Sequence, residues 1–314
     1  MKIKKLTKPT IRKVLFVCNG NTFRSFSAEF LLKHYLDKHN IKGWNVFSAG
    51  LIKNHSKVDP ETIADLNALG VKIFHRAHHK LNKLLLKKFD LVIAMAQDQV
   101  DVLKNNFNYQ HAILFNELVK DEKSSIWDIQ DEVKDCHTNR RGVEKKIDRT
   151  IQYIHDSIPK LVKNINERVY LFEDFAKGLK KREHRNGFPI IRLYETRNTL
   201  AFMSISIPSK EDGHILVIPK KRYIYFHEIP PKILKELLMV VQKIGAVLEN
   251  DHEGYNILLN NGRAAMQYVF HAHFHLIPRD SKDKIKLEDW SNKRLTIQQF
   301  IMLNKKLKQK IANQ

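Results

Sequence analysis

Cys18 closes the apolar run Val14-Leu15-Phe16-Val17 and is followed by Asn19-Gly20-Asn21-Thr22-Phe23-Arg24-Ser25. A thiol at the end of a buried strand, a short Gly/Asn loop and an Arg-Ser pair entering a helix form a cradle for a phosphoryl group, with a nucleophile at its base. Loop N–H groups and a helix N-terminus attract an anion, and the same field favours thiolate over thiol. Arg24 can set two parallel bonds on a pair of phosphoryl oxygens. The plainer reading is a buried structural thiol, but Gly20, Asn21, Arg24 and Ser25 arrive together with it. A second constellation is the run His271-Ala272-His273-Phe274-His275. If it is a strand, period-two alternation puts the three imidazoles on one face. Such a row could ligate a metal, yet the run holds no Cys, Asp or Glu to complete a ligand sphere, so no metal is expected. An imidazole with one nitrogen held and donors ready for a developing oxyanion is a phosphorus nucleophile.

The elements that must position Cys18 are strand signals at 14–17, 44–47, 91–95 and 112–115, alternating with helical patterns near 26–39, 60–69, 97–105 and 143–163. This alternation predicts α/β architecture, a doubly wound parallel sheet with ligands at the carboxyl ends of strands. The histidines lie in a different pattern. Strand signals at 190–194, 199–203, 214–218, 255–259 and 268–277 surround one apolar helix over 231–248, which predicts an antiparallel α+β domain.

The Cys18 run, with Ala28-Glu29, Ser48-Ala49-Gly50, Asp59-Pro60 and Phe89 to Met95, resembles the low-molecular-weight protein tyrosine phosphatases over roughly 11–165. The resemblance implies a phosphocysteine on Cys18, phosphate binding by Asn19, Gly20, Asn21, Thr22, Phe23 and Ser25 with Arg24, and a general acid in the loop Trp127-Asp128-Ile129-Gln130-Asp131. Counting back from the last helix favours Asp131 over Asp128. In that family Pro usually follows the acid; here Glu132 does. The family's second loop Cys is Phe23, so its redox guard is missing. Related arsenate reductases share the fold but relay a disulfide through further cysteines, and only Cys136 remains.

The run His271 to Ile277, with Gly213-His214-Ile215-Leu216-Val217-Ile218-Pro219-Lys220, Asn260-Asn261-Gly262 and Pro278-Arg279, resembles the histidine-triad (HIT) nucleotide hydrolases and transferases over about 169–281. It implies that His273 attacks an α-phosphorus, that His275 bonds the phosphoryl oxygens, and that His271 orients the central imidazole. Asn260 and Gln267 would contact the phosphate or leaving group. Ser204, Arg222 and Met266 stand where the family commonly has Asp, His and Gly, and Arg222 could meet an extra phosphate.

The 314 residues suffice for two cores. The expected division is a phosphatase-like domain over 1–165, a HIT-like domain over 166–282 and a basic helical tail over 283–314, with no Gly/Ser linker. Lys and Arg exceed Asp and Glu by 55 − 34 = 21, which favours anionic partners without choosing among them. Expected partners are a phosphoprotein or phosphomonoester and a nucleotide or nucleotidylated compound, with homodimerisation a family expectation of the HIT half. A nucleic-acid role has only the lysine runs behind it. No cofactor is implied. Two cysteines suit a reducing compartment, and no apolar stretch is long enough for a signal or a span, so a cytoplasmic protein without a membrane partner is expected. The competing class is a regulatory binder with one or both sites retired.

Overall fold

The unbroken apolar run before Cys18 forms β1 (Arg12–Cys18), whose Val14 to Val17 are fully buried, as a strand covered on both faces requires. The computed structural model describes residues 11–52, 58–73, 78–178, 191–206, 213–287 and 296–312. After β1 come α1 (Arg24–Lys38), β2 (Trp44–Gly50), α2 (Pro60–Ala68), α3 (Lys83–Leu86), β3 (Leu91–Ala94), α4 (Gln97–Phe107), β4 (Ile113–Leu114), α5 (Phe115–Val119), α6 (Ile129–Glu132) and α7 (Arg140–Asn164). The four strands are parallel in the order β2-β1-β3-β4. Strand order reverses at β1, which opens a crevice at its carboxyl end, where Cys18 sits. Ile147, Ile151, Ile154 and Ile158 make the helical stripe by which α7 packs with Phe26 and Leu31 of α1 over one face of the sheet.

A π-helical turn, Ile165–Val169, carries α7 into α8 (Leu171–Lys177). The second half adds β5 (Arg192–Glu195), β6 (Thr199–Met203), β7 (Ile215–Pro219), α9 (Pro231–Asp251), β8 (Gly254–Leu259), β9 (Phe274–Arg279) and α10 (Ile297–Ala312). Its sheet is antiparallel in the order β5-β6-β7-β9-β8. Leu237, Val241 and Ile244 of α9 cover one face, and Phe172 and Phe175 of α8 cover the other beside Leu200 and Phe202. The two expected architectures are both present. The basic residues after 178 and the fifth strand signal's first residue lie outside the described residues.

The predicted strand over 268–277 is half right. Only Phe274 onward is strand, because the preceding backbone bonds elsewhere: Phe270 N–H donates to the Arg168 carbonyl (2.6 Å) and Ala272 N–H to the Tyr223 carbonyl (2.6 Å). His271, Ala272 and His273 are therefore all buried rather than alternating.

The two cores meet. Tyr170 packs in the first, Phe172 two residues later in the second, and Ile224 and Phe270 from the second half enter the first. Across this joint Arg12 of β1 gives a bidentate pair to Asp174 of α8, 2.8 and 2.6 Å, with Asp174 almost fully buried. Arg222 joins in: its guanidinium donates to the Asp90 carbonyl and faces the Tyr170 ring at 5.5 Å. Removing one partner of a buried pair strands the other. Asp174→Ala is accordingly expected to cost about 3 kcal/mol and to lower the urea midpoint of the whole chain in one transition. A second transition left in place would show that the halves unfold independently.

Candidate functional site

Cys18 Sγ ends a chain of oriented dipoles. Asn21, at φ 55°, donates its backbone N–H to Sγ (3.3 Å), and its Nδ2 donates to Ser25 Oγ (3.1 Å) and Ser48 Oγ (2.7 Å). Ser25 Oγ thus accepts from Asn21 and is free to donate its own hydrogen to Sγ, 2.9 Å away. Ser48 donates in turn to the buried Glu29 carboxylate (2.6 Å), which Lys33 also pairs at 2.6 Å. The loop lies so close to β2 that a Cβ on Gly50 would come within 2.7 Å of the Asn19 carbonyl. Glu29 and Ser48 were visible in the sequence as part of the family likeness, but nothing local assigned them this buttressing role.

Arg24 is fully buried at the start of α1. Its Nη1 donates to the Ile126 carbonyl (2.8 Å), its Nη2 pairs with Asp128, and its Nε has no acceptor among the described residues. A buried N–H without a partner is costly, and this one belongs to the cleft of about 490 Å³ lined by Cys18, Gly20, Thr22, Arg24 and Asp128. Asn19 and Phe23 also line it; Asn21 and Ser25 stand behind the loop. Asp131 does not line it. Its carboxylate turns back to accept the Asp128 N–H (3.0 Å), capping α6 from the third helical position, and the residue is exposed. The acid that faces the cleft is Asp128, the second choice from sequence.

In the other half His273 is 7 % exposed. Its Nδ1–H donates to the His271 carbonyl (2.7 Å), which leaves the lone pair on Nε2. The orienting contact is thus the main chain of His271 and not its ring, which is sealed in and bonded through Nε2 to the Pro219 carbonyl (2.7 Å). His275 meets a fourth imidazole that sequence reasoning left without a role. His214 Nδ1 donates to the Ser206 carbonyl (2.7 Å), so its Nε2 accepts from His275 Nδ1 (2.9 Å), and His275 Nε2 is left buried without a partner among the described residues. The His273 and His275 rings stand 4.6 Å apart, and Phe172 packs edge-on against His273 at 5.2 Å. Burial pushes the His271 and His275 pKa values down to about 3 and lowers those of His273 and His214. Among the described residues no group of three His, Cys, Asp or Glu is placed to hold a metal.

Gln267 is not available for a phosphate contact. It is buried, with Nε2 donating to the Ile224 carbonyl and Oε1 accepting from Gly262 N–H, both at 2.7 Å, so it braces the loop that follows β8. Asn260 lies one residue beyond the last β8–β9 pair, Leu259 opposite Phe274, at the level of His273. Met266 adopts φ 61°, which accounts for the glycine the family prefers there.

Residues 13–171, half of the chain, match the low molecular weight phosphotyrosine protein phosphatase family, and residues 188–282 match the HIT domain. The second half is 38% identical over 134 residues to the adenosine 5'-monophosphoramidase HNT1 of Candida albicans, covering 41% of this chain and 87% of that protein. It is 34% identical over 127 residues to its Schizosaccharomyces pombe counterpart, covering 40% and 92%. The solution structure of a low molecular weight protein tyrosine phosphatase from Bacillus subtilis aligns at 22% identity and TM-score 0.42, over 49% of this chain and 97% of that one. The chain therefore belongs to two hydrolase families at once, the low molecular weight phosphotyrosine protein phosphatases through its first half and the HIT proteins through its second.

Proposed function

We propose that the chain is a bifunctional phosphorus hydrolase. In the first site Cys18 attacks a phosphomonoester of the phosphotyrosine class, the P–O bond to the leaving group breaks, and phosphocysteine forms. The observation that carries this reading is the buried, unpartnered Nε of Arg24 in the cleft shared with Cys18 and Asp128. A phosphoryl dianion takes the Nε and Nη2 edge of the guanidinium and displaces Asp128, whose carboxylate takes up a proton from solvent and then delivers it to the departing oxygen. The same carboxylate next removes a proton from the water that cleaves phosphocysteine to inorganic phosphate. Asn19, Gly20, Thr22 and Phe23 supply the loop around the phosphoryl group.

In the second site His273 Nε2 attacks the α-phosphorus of an adenosine phosphoramidate or a related nucleotide. This follows the activity named for the HNT1 relatives, and it is carried by the Nδ1 hydrogen bond that aims the Nε2 lone pair. The P–N or P–O bond breaks as nucleotidyl-histidine forms, and water then frees the nucleotide. His275 offers a lone pair in its present tautomer, so it meets a phosphoryl oxygen only by taking up a proton at Nε2. An anionic substrate favours that uptake, and His214 shares the resulting charge.

With para-nitrophenyl phosphate, Cys18→Ser is expected to abolish turnover. Asp128→Asn should lower kcat by about 10² or more with an unactivated aryl phosphate, while Asp131→Ala costs several-fold at most. The reverse order of the two aspartates would return the acid to Asp131.

With an adenosine phosphoramidate, His273→Ala should be inactive while phosphatase activity persists. Because burial keeps His273 neutral, kcat/KM should hold as pH falls through the ordinary imidazole value of about 6.5; a loss centred at or above that value would contradict a buried nucleophile. Stability has the matching sign. Between about 6.5 and about 3 the unfolded chain binds protons that folded His271 and His275 refuse, so stability is lost as pH drops through that window. Thermal melting across a pH series checks this.

A further inference from the structure

The C-terminal helix is the part of the molecule whose design neither site explains. Thr296 and Gln299 form a reciprocal cap: Gln299 N–H donates to Thr296 Oγ1 (3.2 Å) and Thr296 N–H to Gln299 Oε1 (2.9 Å). The chain thus specifies the start of α10 locally. All its described residues are exposed, including Ile297 (80 %), Phe300 (60 %), Ile301 (59 %) and Ile311 (74 %). At about 100° per residue, Ile297, Phe300, Ile301, Leu303, Leu307 and Ile311 share one half of the helix. Lys305 and Lys310 flank that stripe and Lys308 lies within it. The helix has four lysines and no acidic residue.

Charge decides what can cover this face. Two α10 helices packed together would unite their lysines with no carboxylate between them. The exposed apolar patch on α9, formed by Leu234, Leu238 and Met239, carries Lys235 and offers no acid either. A surface that is apolar beneath and anionic above fits both halves of the pattern, with flanking lysines reaching up to headgroups from aliphatic stems laid on the acyl boundary. We propose that α10 lies flat on anionic lipid bilayers and holds the enzyme reversibly at the membrane surface. No described helix is long and apolar enough to cross a membrane, so the contact is interfacial. Lys282, Lys284 and Lys286, exposed ahead of the helix, add to the attraction.

The test is sedimentation of the full chain with vesicles of phosphatidylcholine alone or with about 30 mol% phosphatidylserine. The expected result is binding at least about tenfold stronger to the anionic vesicles, weakened by about 0.5 M salt, and lost in Ile301→Glu/Leu307→Glu. That double variant should keep wild-type turnover of para-nitrophenyl phosphate, since neither residue touches either site. A second double variant, Lys305→Gln/Lys308→Gln, should lose the preference for anionic lipid while retaining helicity. Failure to sediment with anionic vesicles overturns the proposal, as does equal binding to both compositions. So does a halving of solution mass by Ile301→Glu/Leu307→Glu without any lipid binding in the wild type, which would make a second copy the occupant.

Discussion

A guanidinium buried where two cores meet has to be satisfied from both sides, and Arg168, 1 % exposed in the π-helical turn after α7, is that group. Its N–H groups reach the Tyr268 carbonyl (3.2 Å), the Glu117 carbonyl (3.4 Å) and Asp121 (2.5 Å), and the rings of Tyr268 and Phe270 lie 5.1 and 4.8 Å from it. Asp121 is shared with Arg263. Burial pushes its pKa up, but the two guanidiniums outweigh this and hold it below the usual carboxylate range. The carbonyl of Arg168 also takes the Phe270 N–H, so the backbone that leads into the histidine run is fixed by the phosphatase half. A charge left unpaired there would be expensive, and the two halves are held in one register as a consequence.

The two sites solve the same problem with different materials. Around Cys18 the reactive atom is held by a relay from Glu29 through Ser48 and Asn21 to Ser25, in which each donor is oriented by the one behind it. Around His273 the orientation comes from carbonyls: those of His271, Pro219 and Ser206 fix three imidazoles in defined tautomers. Buried hydrogen bonds of this kind lose more when broken than they contribute when made.

Much of this was legible from residues alone. Uninterrupted apolar runs marked β1 and β3, and helical periodicity marked α7 and α9, because burial on a sheet or a helix face leaves its period in the sequence. Cys18, Arg24 and His273 could be singled out because the chemistry proposed for them is tied to short spacings. The misplacements have a shared cause. Asp131 and Asp128 lie three residues apart in one loop, and only the folded turn shows that one caps the other. The alternation at His271 to His275 is the period of a strand, yet Arg168 and Tyr223 take the backbone bonds that would have extended β9. Gln267 could have faced a phosphate until Ile224 and Gly262 claimed both its ends. Each depends on a partner dozens of residues or more away, or on the direction a side chain takes, and spacing carries neither.

The charge at each site suits a different phosphorus group. A monoester dianion needs a permanent cation. Under the proposed chemistry the Arg24 guanidinium supplies one, and Asp128 is its ion-pair partner in this structure. A nucleotidyl group bears less charge at the attacked phosphorus, and a fixed cation beside His273 would depress its nucleophilicity along with its basicity. In the proposed reaction neutral imidazoles avoid this, since an imidazole can stay uncharged until a phosphoryl oxygen arrives and become a donor then. The net charge of +21 favours anionic partners without choosing among them. On the proposed chemistry, discrimination between substrates is local: a buried arginine would select for full charge in one cleft, and buried histidines would withhold charge in the other until a phosphoryl oxygen arrives.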